Sequence, residues 1–403
     1  MTLMNNLNIK ALILGSGRIG RGFVTQLLFE NSVECIHFDS NQELVNLLNK
    51  CGRYTIHVMG YPELDTHVTN VRAYLINDVG RLAKEWSEAD LIFSAVGGKN
   101  LPSLGKNIGK AFKVLYDAGK VKKSNIITCE NWVNPADDLN RTTLEQLTEE
   151  GKKVFQNNVG ITEGVILTTG TGSPDGIPDN PADTWVQNFK YLPVDKSRIK
   201  GEIPRLKYFD FIDDFGNLLK QKLYTNNTSV ALVAYLGHLK GIKYVADAAN
   251  HPDIVPILEE AYREINDALI KGMNIDEESQ CKFSIRAKNK YQDRNIIDLV
   301  TRIARDPLRK LRKEDRLIGC GLISIRSGGS PKAIALATAA ALYYDEPTDK
   351  GSVELQKMRK EKGIDYILAN ISELTDSYED KKLRQMIHEA VDKLKSKGWI
   401  KEG

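Results

Sequence analysis

Ala11-Leu12-Ile13-Leu14-Gly15-Ser16-Gly17-Arg18-Ile19-Gly20-Arg21-Gly22-Phe23 is the stretch that decides the fold of this chain. Its first four residues form a short, unbroken apolar run, the pattern of a strand buried on both faces. A GxGxxG turn follows at once, and Ile19, Phe23, Leu27 and Leu28 then return at helical spacing. A glycine turn set between a strand and a helix has a mechanical reading. Gly15 permits the tight turn. Gly17 lets the backbone approach a pyrophosphate, and Gly20 lets the helix lie close on the strand. The helix start adds free N–H groups and the positive end of a dipole. Gly15, Ser16, Gly17, Arg18, Ile19 and Gly20 are therefore the first candidate cofactor contacts.

Working outward, a second strand is expected at 33–38, and Asp39 follows it, 19 residues after Gly20. A carboxylate there accepts hydrogen bonds from the adenosine ribose hydroxyls and repels a 2′-phosphate, so the expected cofactor is NAD. Neighbouring Ser40 and Asn41 are able to relax that preference. Further strands are expected at 91–96, 125–129 and 159–167. Strand C-termini face the cofactor in a doubly wound sheet, which adds Ala95 and Val96 to the contacts. Glu130-Asn131 ends the next strand. Asn131 either faces the nicotinamide and substrate or caps a local turn.

After about residue 200 helical periodicity takes over. Ile257, Leu258, Ala261, Tyr262, Ile265 and Leu269 make one apolar stripe. Ser330-Pro331 has the form of a cap and first turn for an alanine-rich helix, apolar nearly all round and so central to its domain. The stretch 378–397 reads as a charged surface helix. Charges and two prolines interrupt both patterns at 192–204. The expected fold is α/β, an N-terminal Rossmann dinucleotide-binding domain over 1–198 and a mostly α-helical substrate and catalytic domain over 199–403.

Bulk composition narrows the class. The chain has 403 residues, 41% hydrophobic and 27% charged, and a formal net charge of +3. That balance suits a globular protein with a small-molecule substrate and gives no reason to expect nucleic acid or an anionic membrane as partner. None of the five cysteines forms a CxxC pair, which points to a reducing compartment. The N-terminus lacks a charged n-region and a cleavage site, and the longest apolar run, 333–344, is too short to span a bilayer. A cytoplasmic monomer or homodimer is expected. His37, His57, His67, His238, His251 and His388 are scattered with no cysteine beside them, so no metal is expected.

Colinear motifs carry a resemblance over nearly the whole length: GSGRIGRGF at 15–23, the step Asp39-Ser40-Asn41, IHVMG at 56–60, DLIFSAVG at 90–97, IITCEN at 126–131, KLYTNNT at 222–228 with AYLG at 234–237, and DPLRKL at 306–311 with DRLI at 315–318. The chain resembles the mannitol dehydrogenase family of polyol-specific long-chain dehydrogenases, most of all its mannitol-1-phosphate 5-dehydrogenases. The resemblance implies a Rossmann domain before a helical one, no metal, and hydride transfer between a nicotinamide cofactor and a sugar or sugar-phosphate carbonyl. It also implies a signature of Lys, Asn five residues on, and His three further. Lys222 and Asn227 match the first two positions; the third holds Val230. Where relatives carry an Asp before an Arg, this chain has Leu167 followed by Thr168.

Oxidising an alcohol without a metal needs a base for the hydroxyl proton, and the reverse needs an acid. Lysine serves if burial or a neighbouring cation lowers its pKa. Lys222 is thus the candidate acid/base, with Asn227 holding the substrate oxygen. Spacing alone would leave Lys222 an ordinary surface lysine. In a straight helix residues five apart diverge by roughly 140°, so the pair can share one site only if the helix ends or bends between them, for which 225–228 is a plausible place. His238 reads as a packing histidine and Glu163 as a weaker candidate carboxylate. The cation-rich run 302–316 is either a solvated helix face or a source of phosphate contacts, and Arg309 and Lys310 are the candidates for the second role.

The expected activity is interconversion of a sugar alcohol or its phosphate, such as mannitol 1-phosphate, with the corresponding ketose. Two alternatives stay open: an NAD-binding sensor or partner module with weak or no catalysis, and a dehydrogenase repurposed for another hydroxy compound. An opine-type enzyme would need a His/Asp pair that has no place in this sequence.

Overall fold

A computed structural model describes residues 9–173 and 180–400. Met1 to Asn8, most of the stretch searched for a leader, lie outside the described residues. Six parallel strands form the first sheet: β1 (Lys10–Leu14), β2 (Glu34–Asp39), β3 (Arg72–Leu75), β4 (Leu91–Ser94), β5 (Ser124–Thr128) and β6 (Val159–Glu163). Their spatial order is β3-β2-β1-β4-β5-β6. The order reverses between β1 and β4, which is where a doubly wound sheet opens a crevice at its strand C-termini. Every residue of β1 is buried: Ala11–Leu14 as an apolar run on a central strand demands, and Lys10 in ion pairs with Glu85 and Glu88.

Several boundaries differ from the sequence reading. The second strand begins at Glu34 and takes in Asp39 as its last residue. The fourth ends at Ser94, leaving Ala95 and Val96 in the turn beyond it. The last runs only to Glu163; Gly164 then bridges to Val194. Strands also continue past residue 200, since Leu192–Asp195 pairs in parallel with Phe209–Ile212. A small two-stranded sheet therefore starts within the 192–204 stretch, where both sequence patterns break. The chain divides into compact units at Met1–Phe215 and Gly216–Gly403, later than the expected break at 198/199.

The second unit is helical among its described residues. Its core centres on the helices Thr228–Leu239 and Lys332–Leu342, both buried nearly all round. Ser330 does not cap the second of these. Glu264, from the helix Val255–Met273, reaches the exposed N–H groups instead, accepting from Ala333 N (2.8 Å) and Ile334 N (3.0 Å). A carboxylate from another helix replaces the local hydroxyl, and burial pushes its pKa up to about 7.

Candidate functional site

The glycine turn of the first unit is built by close approach. Gly15 has φ +100°, and a Cβ there would lie 2.5 Å from the Ala95 carbonyl oxygen. A Cβ on Gly20 would lie 1.9 Å from the Gly15 carbonyl oxygen. Both glycines are thus required by sterics. Gly17 differs: a Cβ there would meet no protein atom within 4 Å. The space over Gly17 is open, as a cradle for a pyrophosphate needs to be.

The helix after the turn starts unusually, as a π-helix over Arg18–Val24 before it tightens at Thr25–Phe29. The turn itself is clamped on both sides of Ser16. Ser16 N–H donates to Asp39 Oδ2 (2.7 Å), and the Arg21 guanidinium donates to Ser16 O (2.9 Å). Ser16 is buried, so its amide and hydroxyl belong to the turn, whereas Arg18 is exposed. Asp39 also accepts from Asn41 N (2.9 Å). A carboxylate has about four acceptor positions, so Asp39 keeps capacity for ribose hydroxyls.

Glu130 is the residue whose role the sequence did not disclose. It is buried, and its carboxylate accepts from Val96 N and Gly97 N, both at 2.8 Å. Burial raises its pKa while the two amide donors oppose that. Glu130 thereby fixes the 95–97 turn beside Gly15 and ties it to the chain that presents Asn131, which is exposed. Nothing in the residue order shows that a strand-end glutamate turns inward to its neighbour's backbone.

In the second unit the stretch Lys222–Asn227 is a π-helix between the α-helices Phe215–Gln221 and Thr228–Leu239. This answers the geometric difficulty. The sequence called for a helix end or a bend; the chain widens its winding instead. A π-helix bonds i to i+5, so a residue five positions on comes round to nearly the same face. Lys222 and Asn227 therefore share a face with the helix unbroken. Burial, and then the charge of Arg316, lower the Lys222 pKa to about 8. Beside it, the side-chain carbonyl of Asn226 is buried with no hydrogen-bond partner.

Packing holds that turn from outside. Tyr224 OH donates to Glu314 O (3.2 Å), Thr228 Oγ1 to Arg316 O (2.7 Å), and Tyr291 OH to Asn226 O (3.1 Å).

Known sequences match most of the chain. Residues 9–208 match the mannitol dehydrogenase Rossmann domain and residues 215–395 the mannitol dehydrogenase C-terminal domain. The chain belongs to the mannitol dehydrogenase family. A mannitol-1-phosphate 5-dehydrogenase of Bacillus pumilus is 31% identical over 368 residues, covering 91% of this chain and 96% of the relative. One from Bacillus subtilis is 31% identical over 364 residues, covering 90% and 94%. In fold the chain is similar to Pseudomonas fluorescens mannitol 2-dehydrogenase, solved with NAD and D-mannitol: TM-score 0.72, 15% identity, 99% and 94% coverage. It is also similar to a D-sorbitol dehydrogenase at TM-score 0.70 and 15% identity, with 98% and 94% coverage.

Of the two positions that the sequence reading set apart, Val230 is buried in the core of the second unit and Leu167 is buried in the first. The remaining candidates are placed as follows. Arg309 is half-exposed and paired with Asp306 (2.9 Å) and Asp315 (3.3 Å). Lys310 is buried, and its ammonium donates to Ile303 O (2.7 Å) and to Arg305 O. It braces the turn before it, a structural engagement that the phosphate reading did not foresee. Other cations of that run are paired too: Arg302 with Asp298, Lys313 with Asp380, Arg316 with Asp315. His238 lies 2.7 Å from Asp345 and edge-on to Tyr344, a packing position. Glu163 closes β6, its pKa raised by burial. Among the described residues no group of three or more His, Cys, Asp or Glu is arranged to hold a metal ion, and no helix is long and apolar enough to cross a membrane.

Proposed function

We propose that this member of the mannitol dehydrogenase family is an NAD-dependent enzyme interconverting a hexitol 1-phosphate and a ketose 6-phosphate, with Lys222 as general acid/base. The first unit fits the cofactor: open space over Gly17, helix-start amides behind it, and Asp39 at the end of β2 with acceptor capacity left. Residues 15–20, Asp39, Ala95 and Val96 would hold NAD, which when bound accepts the hydride from the alcohol carbon. Asp39 disfavours a 2′-phosphate by charge repulsion.

The observation that carries the catalytic reading is Lys222 itself. A pKa of about 8 leaves a useful fraction neutral near physiological pH. In that form Lys222 takes the hydroxyl proton; as ammonium it returns the proton to the ketose oxygen. Asn227, on the same face, donates from its side-chain amide to the substrate oxygen as negative charge develops there. The buried acceptor on Asn226 suits a further hydroxyl of a polyol.

The test is NADH oxidation, followed by its ultraviolet absorbance, with fructose 6-phosphate, fructose, keto acids and uronates as acceptors. Turnover selective for the phosphorylated ketose is expected. Lys222→Met should lower kcat by roughly 10²–10⁴ and leave NADH binding intact; near-normal turnover would end the assignment. A second reading rests on Val230, which puts an apolar side chain where the family signature has histidine: a protein that binds NADH but turns over none of these acceptors.

A further inference from the structure

We propose that Trp132 receives the nicotinamide end of the dinucleotide and holds its charged, oxidised ring more firmly than the neutral, reduced one. This rests on the cofactor placement proposed above and names the residue that would hold the reacting half.

The run of the cofactor follows from the sheet. Asp39 closes β2 on one side of β1, where the adenosine ribose would sit, and the open space over Gly17 lies just past the end of β1. A dinucleotide that starts over β2 and crosses at β1 has its other half over the ends of β4 and β5. Two turns leave those ends. One carries Ala95, Val96, Gly97 and Gly98 after β4; the other carries Glu130, Asn131 and Trp132 after β5. The Glu130 carboxylate locks the second turn to the first through Val96 N and Gly97 N, both at 2.8 Å.

Trp132 is built into that junction. A Cβ on Gly98 would strike the indole, with Cδ2 nearest and its bonded neighbours Cγ and Cε3 slightly farther. An approach in the ring plane would bring the two flanking carbons nearest instead, so Gly98 meets the face of the indole. The edge is tethered separately. Asn134 turns the chain at φ 47°, Pro135 starts the helix Pro135–Leu144, and Asp138 in that helix accepts from the indole Nε1–H (3.1 Å). A ring fixed by one face and one edge is nonetheless 46% exposed. Tryptophan has a large apolar area to bury. Here much of it is left open at the carboxyl edge of the sheet, where ligands of this fold bind. The π face of an indole is electron-rich and attracts a cation. The oxidised nicotinamide is a flat ring with one positive charge, whereas the reduced ring is neutral.

Three ligands titrated calorimetrically into the full-length protein separate this proposal from the cofactor placement: NAD+, NADH, and ADP-ribose, which lacks the nicotinamide. Trp132→Leu should weaken NAD+ roughly five- to thirtyfold, the range of a partly desolvated cation–π contact. It should weaken NADH less and leave ADP-ribose unchanged. Trp132→Phe keeps a ring with a weaker π face and should fall between wild type and Trp132→Leu. A Trp132→Leu protein that binds NAD+ normally, loses ADP-ribose in step with NAD+, or loses NADH as much as NAD+ overturns the proposal. If Trp132→Leu does not fold, Trp132→Phe decides: NAD+ weakened with ADP-ribose kept supports the assignment, and any other pattern sinks it. A wild type that binds none of the three overturns the cofactor placement as well.

Discussion

The glycine turn at 15–20 and the lysine turn at 222–227 are both short departures from regular winding, yet they are made by different physics. The first is steric. Gly15 and Gly20 are there because a Cβ would strike backbone oxygen, and Gly17 because the space above it stays open. The second is electrostatic and tertiary. Lys222 has its proton affinity set by burial and by Arg316, 94 residues away, and its turn is held by Gln280, Tyr291 and the backbone at 314–316. A site made of backbone clearance is written in local spacing. A site made of charge is written in the packing.

The contrast predicts opposite outcomes for two glycines three residues apart. Gly20→Ala forces its Cβ to 1.9 Å from Gly15 O and 3.1 Å from Ile13 Cγ2. Overpacking of this kind costs roughly 1–3 kcal/mol or more, so the thermal midpoint should fall and NAD binding should be lost with it. Gly17→Val meets no protein atom within 4 Å at its Cβ, and φ there is an ordinary −68°. Stability should stay within about 0.5 kcal/mol of wild type, while NAD affinity drops. Thermal melts beside NADH titration check both. Equal destabilisation by the two would break the steric account.

That difference explains what was legible. The central strands of the Rossmann sheet and the close approaches at Gly15 and Gly20 follow from apolar runs and turn chemistry, both local signals, whereas the edge strand Arg72–Leu75 was not among the expected ones. The unit boundary was not legible, because Leu192–Asp195 and Phe209–Ile212 are short strands with prolines and charges around them, the same composition as a linker. Lys222 and Asn227 are candidates through a family pattern, and the π-winding that puts them on one face leaves no mark in residue order. For Lys310, a basic residue in a cationic run gave no hint that its ammonium turns inward to two carbonyls.

A titratable group beneath the glycine turn offers a way to blur the contrast. His37 is fully buried, 3.4 Å from Ser16 Oγ, and burial, then the charge of Arg21, hold its pKa down to about 4. Above pH 6.5 both folded and unfolded states hold it neutral. As pH falls below 6.5 the unfolded state takes up the proton and the folded state does not, so stability is lost until the folded group titrates near 4. The shift corresponds to about 3 kcal/mol in all. His37→Phe should remove that share of the slope between pH 6.5 and 4 in denaturant-unfolding series. An unchanged slope would mean that the histidine titrates normally, leaving the turn's integrity independent of charge.

The smallest effect sharpens the contrast from the other side. With a pKa of about 8, Lys222 is mostly ammonium at neutral pH. Alcohol oxidation needs its neutral form, so kcat/KM in that direction should rise roughly tenfold per pH unit below the pKa and level off above it. Ketose reduction needs the ammonium and should fall by the same factor above the pKa. Two mirror-image profiles bending at one pH identify a single group working as base one way and acid the other. Arg316 is the second cause of the lowered value, so Arg316→Gln should move both bends upward together. Because Arg316 also contacts Asp315, the shift must appear without loss of NADH affinity to count as electrostatic. Profiles without a bend near this pH would place the proton transfer on another residue and return Lys222 to the status of a buried structural cation.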